Sequence, residues 1–451
     1  MSKTQELGTK SIGSLLLHYS LPAIVAMTAS SLYNIIDSMF IGRGVGSLAL
    51  AGLSVCFPFM NLAAAFGAMI GIGATTVVSV KLGQQDKRGA ELALGNVVLL
   101  NVLIGVVFAA VSLIFLDPIL YFFGASDATI VYAREYMQVL LCGNLVTHLY
   151  LGLNSVMRAA GFPTKAMYIT IVAVVTNIFF NYIFIILMDM GIKGAALGTV
   201  CAQTLSLIIV THHFIFKKDT LSFRKDIFKF RPKIAGQIIS IGLAPFCMNS
   251  LGCVVVMLIN TSLLRHGGDM YVGAYGILNR IVFFFVMIVM GFNQGMQPIT
   301  GYNYGAKQYD RVLKAYSLTL IYAVGLTTLA LIVCQCFPEL IIKPFTTDTQ
   351  LLVLSEHAIR TVTIFFPLIG FQMVSNNFFQ SVGLAKKALF LSTNRQLLFL
   401  IPFLLILPAQ FGTDGVWWSM PIADGISAIV ALVMVLLEIR KIKSGQISSI
   451  L

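Results

Sequence analysis

Twelve apolar stretches separated by short polar breaks run the length of the sequence, near residues 15–41, 47–80, 91–116, 130–158, 166–188, 194–216, 236–264, 271–302, 312–336, 351–382, 388–410 and 415–438. Each is long enough to cross the hydrocarbon of a bilayer as a helix, which takes roughly 20 residues. The pattern predicts an all-α integral membrane protein with twelve transmembrane helices. Several stretches are longer than a bilayer requires, so tilt, protrusion into water or kinks at Pro58, Pro298 and Pro367 must absorb the excess. The first stretch carries Asn34 and Asp37 and is followed by no small-residue cleavage site, so it reads as a retained helix and not as a signal peptide.

Composition agrees with lipid as the solvent. Of the 451 residues 58% are hydrophobic and 11% charged, against roughly 25% charged in a soluble domain. The net charge of +12 raises nucleic acid as a partner, but the basic residues stand in short runs between apolar stretches, with no interleaved basic and aromatic patch. They fit positive-inside topology instead. With the N-terminus in the cytoplasm, alternate loops collect Lys3, Lys10, Lys81, Lys87, Arg88, Arg158, Lys165, seven residues from Lys217 to Lys233, Lys307, Arg311, Lys314, Lys386, Lys387, Arg440, Lys441 and Lys443, 22 in all. The opposite loops hold 5: Arg43, Arg134, Lys193, Arg265 and Lys343. The split places both termini on the cytoplasmic side of an inner or plasma membrane. Seven cysteines without a CxxC pair suggest small packing residues, with no disulfide frame, structural metal or cofactor.

An internal repeat organises the chain. Pro22 and Pro245 stand 223 positions apart, and Gly83 of KLGQQDKRGAE stands 222 before Gly305 of NYGAKQYDRVL. NSVMRAAGFPTKA at 154 matches NNFFQSVGLAKKA at 376, again 222 apart. Each repeat holds six helices, an even number, so the two are parallel and related by an axis along the membrane normal. The expected division is an N-terminal lobe at 1–216, a charged cytoplasmic linker at 217–235 and a C-terminal lobe at 236–451. No HExxH, GxGD, GxSxG or Walker-type loop occurs, so the sequence offers no enzymatic chemistry and no nucleotide site. A transporter binding its substrate between the halves is the reading that remains, and a non-transporting scaffold or receptor is the contrasting one.

Five segments, FIGRGVGSLALAGLSV at 40, GATTVVSVKLGQQDKRGAE at 73, RAAGFPTKAM at 158, QPITGYNYGAKQYDRV at 297 and GVWWSMPIADGISAI at 415, resemble the multidrug and toxic compound extrusion (MATE) family in order and spacing. The pattern is closer to its DinF-like and MepA-like branches. The resemblance implies two six-helix lobes around a central cavity and alternating access. It also implies export of amphipathic, often cationic compounds by a monomer in exchange for protons or sodium, with the ion site in the first lobe. A lipid-linked oligosaccharide flippase of the same superfamily is the alternative. It would want a basic central cavity, whereas Arg280, Arg360 and Arg395 read as nearer helix ends.

Asp37 is the first candidate on physical grounds alone, because an ionisable group at membrane depth is costly and is kept for function. Ser30, Asn34 and Asp37 recur at i, i+4 and i+7, a single face expected to line a cavity. The family keeps a first-helix carboxylate where Asp37 stands. In the fifth helix Asn177 and Asn181 occupy the family's Asn-x-x-x-Asp positions, with Asn in place of the acid, which leaves sodium at the Asp37 site open beside the proton. Thr199, Gln203 and Ser206 form a stripe on the sixth helix, and Thr199 falls at the family's threonine near the ion site; hydroxyls can equally bond back to their own helix. Pro22 is a hinge candidate. In the second half Asn260 stands opposite Asp37 and no equivalent acid appears, apart from Asp424. That residue either caps a helix restarted after Pro421 or provides a second ionisable site. Asn293, Gln294 and Gln297 in the eighth helix, with Gln372, Asn376 and Gln380 in the tenth, are cavity-lining candidates or partners in interhelical bonds. His148 with Asn144 makes an i, i+4 pair, and Gly67 with Gly71 a close-packing GxxxG.

Overall fold

The structure, a computed structural model, describes residues 4–216, 221–346 and 348–444, without the side chains of Asn34, Arg43, Ser47 and Lys225. Lys3, Lys217, Lys218 and residues 217–220 of the expected linker lie outside the described residues. Every regular element among the described residues is helical. The first six spans are α1 (Ile12–Gly44), α2 (Ser47–Gly83), α3 (Lys87–Ile114), α4 (Ile130–Cys142 with Asn144–Ala159), α5 (Pro163–Asn181) and α6 (Gly191–Phe216). The next four are α7 (Pro232–Gly267), α8 (Asp269–Gly305), α9 (Tyr309–Cys336) and α10 (Thr349–Val362 with Phe366–Ser381).

Among the described residues nine helices are long and apolar enough to cross a membrane, and eleven if each of the two bent pairs is one span. The last of the nine, Ala385–Lys443, has 59 residues, which as one straight helix would reach about 88 Å, nearly three bilayer cores of roughly 30 Å. Gly412 breaks it, with φ 57° and ψ −133° that are not helical. Residues 385–411 and 413–443 are therefore separate spans, α11 and α12, and the count is twelve.

The excess length is absorbed differently from the expectation. Pro58 and Pro298 lie inside the continuous helices α2 and α8. The sharp bends, both 54°, fall instead between Cys142 and Asn144 in α4 and between Val362 and Phe366 in α10. Pro367 sits in the first turn of the second piece of α10, where its missing N–H removes no intrahelical bond. Both bends lie within apolar sequence, so hydropathy alone does not mark them. Wide π-type turns occupy Tyr182–Leu187 after α5 and Asn394–Leu400 within α11. The helix α7 starts at Pro232, a few residues before the expected lobe boundary.

Where the cores lie defines the shape. One continuous apolar core joins the first six helices to the last six at the end that carries Leu7, Leu82, Phe162, Ile227 and Ile442. At the opposite end there are two separate cores. One is built on Ile41, Leu120 and Ile192, the other on Leu263, Ile342 and Trp417. The halves are thus fused at one end, called the closed end below, and parted at the other.

The closed end is built from bare backbone contacts and amide bonds. A Cβ on Gly83 of α2 would strike the carbonyl of Tyr302 in α8, and one on Gly305 of α8 would strike the carbonyl of Val80 in α2. The two glycines matched in the repeat therefore face each other's helices. Gln297 Nε2 donates across to Ile72 O at 3.0 Å and Thr76 Oγ1 at 2.9 Å, and Thr76 Oγ1 donates to Gln380 O at 3.1 Å. Arg311 of α9 holds the segment before α1, donating to Leu7 O at 2.9 Å and Lys10 O at 2.7 Å. The described part of the linker is docked as well. Asn96 of α3 donates to Lys229 O and accepts from the Arg231 N–H, while Arg88 holds Asp226 at 2.5 Å and keeps that carboxyl below its ordinary range.

Candidate functional site

A chain of hydrogen bonds crosses three helices of the first half at membrane depth. Asp37 of α1 is 5% exposed, and its Oδ1 accepts from Asn181 Nδ2 of α5 at 2.7 Å. The same Asn181 Nδ2 donates to Asn177 Oδ1, one turn back, at 3.0 Å. Asn177 Nδ2 then donates to Thr199 Oγ1 of α6 at 3.2 Å. Thr199 Oγ1 donates to Ala195 O of its own helix at 3.2 Å, and the Tyr33 hydroxyl meets it at 2.9 Å. The four-residue spacing of Asn177 and Asn181 puts both amides on the face of α5 that meets α1 and α6. Tyr33 completes the chain and was missed in the sequence; it stands one turn before Asp37, on the same face. Asn34 belongs to the same helix, and its side chain is outside the described residues.

This network backs onto a cavity of about 510 Å³, a volume suited to a drug-sized ligand. Tyr33, Asn177 and Thr199 lie in its wall, as do Ser30, Met27, Gln203, His148 and Gln294. Asp37 is not among the lining residues, so the carboxylate meets the cavity through Asn177 and Asn181. Gln203 accepts from Thr147 Oγ1 of α4 and stands apart from the Asp37 chain. Asn144 donates to Gly105 O at 3.1 Å instead of pairing with His148. Gly67 and Gly71 bring α2 against Leu151 and Ser155 of α4, close packing of the kind their spacing suggests. Pro22 lies between the two points where α1 touches α8, Ser20 against Gly295 and Ile24 against Gly291. Its ring leaves the carbonyl of His18 without the usual helical donor.

The second half differs. Asn293, Gln297, Gln372 and Asn376, candidates for a cavity wall, spend their amides on seams between helices and do not line the 510 Å³ cavity. Asn293 donates to Met373 O at 3.3 Å, Gln372 accepts from Ser427 at 3.1 Å, and Asn376 exchanges bonds with Ser392 at 2.8 and 3.1 Å. Asp424 does not cap a restarted helix, because α12 runs unbroken through Pro421. It is 1% exposed and bonds Arg395 Nε. Arg395 in turn is no helix-end residue: it sits in the wide turn Asn394–Leu400, well inside α11. A buried pair of this kind holds two helices in register and leaves no net charge exposed to lipid. Among the described residues no cluster of His, Cys, Asp or Glu is able to hold a metal ion.

Two repeats of six helices in an apolar bundle, with a drug-sized cavity walled by the first repeat and by Gln294 of the second, are the architecture of a membrane transporter. A family model described as MatE matches residues 22–183 and again 245–406, an offset of 223 that repeats the one between Pro22 and Pro245. The chain belongs to the MATE family of multidrug transporters. It is 28% identical over 94% of its length, and 93% of the relative's, to the multidrug export protein MepA of Staphylococcus haemolyticus strain JCSC1435. Among solved structures it is similar to the MATE multidrug transporter DinF-BH in complex with a small drug molecule, at 36% identity and TM-score 0.89, covering 96% of this chain and 97% of that one. A MATE structure in the bent conformation shares the fold at TM-score 0.92 and 24% identity, over 99% of both chains.

Proposed function

We propose that this multidrug transporter exports amphipathic, often cationic compounds in exchange for protons, by alternating access, with Asp37 as the group that takes up and releases the coupling proton. The observation that carries the reading is the hydrogen-bonded path from the cavity wall to Asp37 through Thr199, Asn177 and Asn181. Protonation of the carboxylate turns the charge-assisted bond from Asn181 into a weaker neutral one, and Asn181 is bonded to a residue the substrate would touch. The named activity of MepA and the small drug molecule held by DinF-BH support a drug-sized amphipathic substrate. Residues 1–216 and 236–451 would be the two rocking units, with 217–235 as the connection and Pro22 as a bending point beside the closed end.

The charge count favours the proton over sodium. Sodium must recover its hydration energy from several oxygens at once, and Asn181 in place of an acid leaves Asp37 as the full negative charge of the network. A proton needs one oxygen alone. Dye efflux from proteoliposomes is expected to follow an imposed pH gradient in sodium-free buffer and to ignore a sodium gradient at equal pH. Efflux that follows the sodium gradient alone would move Asn177, Asn181 and Thr199 into the role of sodium ligands.

The same reading places both termini, the linker and the closed end in the cytoplasm, by the basic split of 22 against 5. In a background without the seven native cysteines, a single cysteine near Asp269 is expected to react with a membrane-impermeant maleimide in intact cells. One in the linker is expected to react only after permeabilisation. The reverse pattern would invert the topology.

A further inference from the structure

We propose that the closed end of the first-half cavity is an anion-recognising subsite, in which Arg158 takes a carboxylate or sulfonate carried at one end of an amphipathic substrate. The inference rests on the export reading above and adds a substrate class to it.

Arg158 ends the second piece of α4 and lines the cavity. Its recorded bond is Nη2 to Ser155 Oγ at 3.0 Å, which uses one of the five N–H donors of a guanidinium. It forms no ion pair among the described residues, whereas Arg395, half-buried within α11, has Asp424. A half-buried guanidinium without a counter-charge is costly to keep in a low-dielectric wall, and the cost is recovered when an anion binds. A planar fork facing a cavity suits the two oxygens of a carboxylate.

The surrounding wall is arranged for a polar group. Tyr150 OH and Asn154 Nδ2 converge on Thr170 Oγ1 at 3.4 and 3.2 Å, and Asn154 Oδ1 is buried without a protein partner among the described residues. Above this end the lining turns apolar, with Gly67, Ala68 and Leu151, and then polar again at the Asp37 network. From Thr147 to Arg158 the helix rises about 16 Å, enough for a fused aromatic system with a pendant group. The cavity is therefore basic at its closed end, apolar in the middle and backed by a carboxylate at the other end, a polarity that matches a dipolar molecule.

Rhodamine B, with a free benzoate, and its ethyl ester share one aromatic cation and differ at the anionic group. Binding of each to purified wild-type protein in detergent, read by fluorescence anisotropy, is expected to favour the acid by about tenfold, the worth of one charge-assisted hydrogen bond. That preference is expected to collapse to about one in Arg158→Gln and to return in part in Arg158→Lys, which restores charge without the fork. A wild-type preference near one, which needs no variant to measure, overturns the subsite, and so does an unchanged preference in Arg158→Gln. If the ester binds in either case, drug recognition stands and the subsite alone has failed. Wild-type protein that binds neither dye would overturn the export reading itself.

Discussion

Asp37→Asn is expected to reduce gradient-driven dye efflux to the level of protein-free liposomes, with the protein still folded and still able to bind dye. The substitution keeps the shape of the side chain. The new amide oxygen can accept from Asn181 Nδ2 as the carboxylate Oδ1 does at 2.7 Å, so the path through Asn177 to Thr199 remains intact. The charge-assisted bond becomes a neutral one, a loss of about 1 kcal/mol that a multi-span bundle absorbs. Removing a charge from the membrane interior offsets part of it. What the variant lacks is a group that gains and loses a proton, and without that group the imposed pH gradient has no carboxylate in the first-half network to act on. Efflux and dye binding measured on the same preparation separate the two effects. Wild-type efflux at matched protein content would remove Asp37 from the coupling mechanism, and loss of binding together with efflux would make it a structural residue.

Asp37, Asn177, Asn181 and Thr199 were legible because each is a polar group in an apolar helix, and a polar group in lipid is expected to face a partner. Helical spacing gave each stripe its face, and family resemblance told which stripes meet. Tyr33 was not singled out, because an aromatic ring with a hydroxyl reads as ordinary apolar filling until its oxygen is seen 2.9 Å from Thr199. In the second half the same stripe logic left a cavity wall and interhelical bonds equally open. Gln372 and Asn376 on α10 have the spacing of a cavity wall, but an inward face can meet either a void or a neighbouring helix, and periodicity does not distinguish them. Their partners, Ser427 and Ser392, come from other helices and were invisible in the local pattern.

Arg158 shows a different limit. Counting basic residues by loop assigned it to a water-facing turn, although the expected helix at 130–158 ends within one residue of the observed one, at Ala159. A basic residue in the last turn of a span can face the cavity as well as water, and the loop count does not distinguish the two. Arg395 and Asp424 were each read against their own helix, so the bond between α11 and α12 was not anticipated. The repeat, by contrast, was readable in full, because two copies of one fold must carry their tight turns and prolines at the same offset. The double match of the family model at 22–183 and 245–406 repeats that offset.

The repeat also places the steric lock of the closed end. Gly305→Ala is expected to lower transport by about ten- to a hundredfold and to open the closed end to water. Local propensity argues the other way: Ala for Gly inside an α-helix ordinarily stabilises it by about 1 kcal/mol. A Cβ at this position, however, would strike the carbonyl oxygen and carbon of Val80. Those are backbone atoms of a continuous helix, which cannot turn aside as a side-chain tip would. The helices α2 and α8 must separate instead, and overpacking at such a crossing costs about 1–3 kcal/mol, which sets the size of the expected effect. Separation also strains the neighbouring bonds from Gln297 to Ile72 and Thr76. The reporter is Ser79, fully buried beside Gly301 in the same seam. In a background without the native cysteines, Ser79→Cys should be silent to a water-soluble maleimide and become reactive once Gly305→Ala is added. Gly83→Ala, facing Tyr302 from the other side of the crossing, should do the same, since either methyl wedges the same two helices. Normal transport with a silent Ser79→Cys in both variants would mean that α2 and α8 yield without cost, and that the closed end is sealed by its amide bonds instead of by the contact of its backbones.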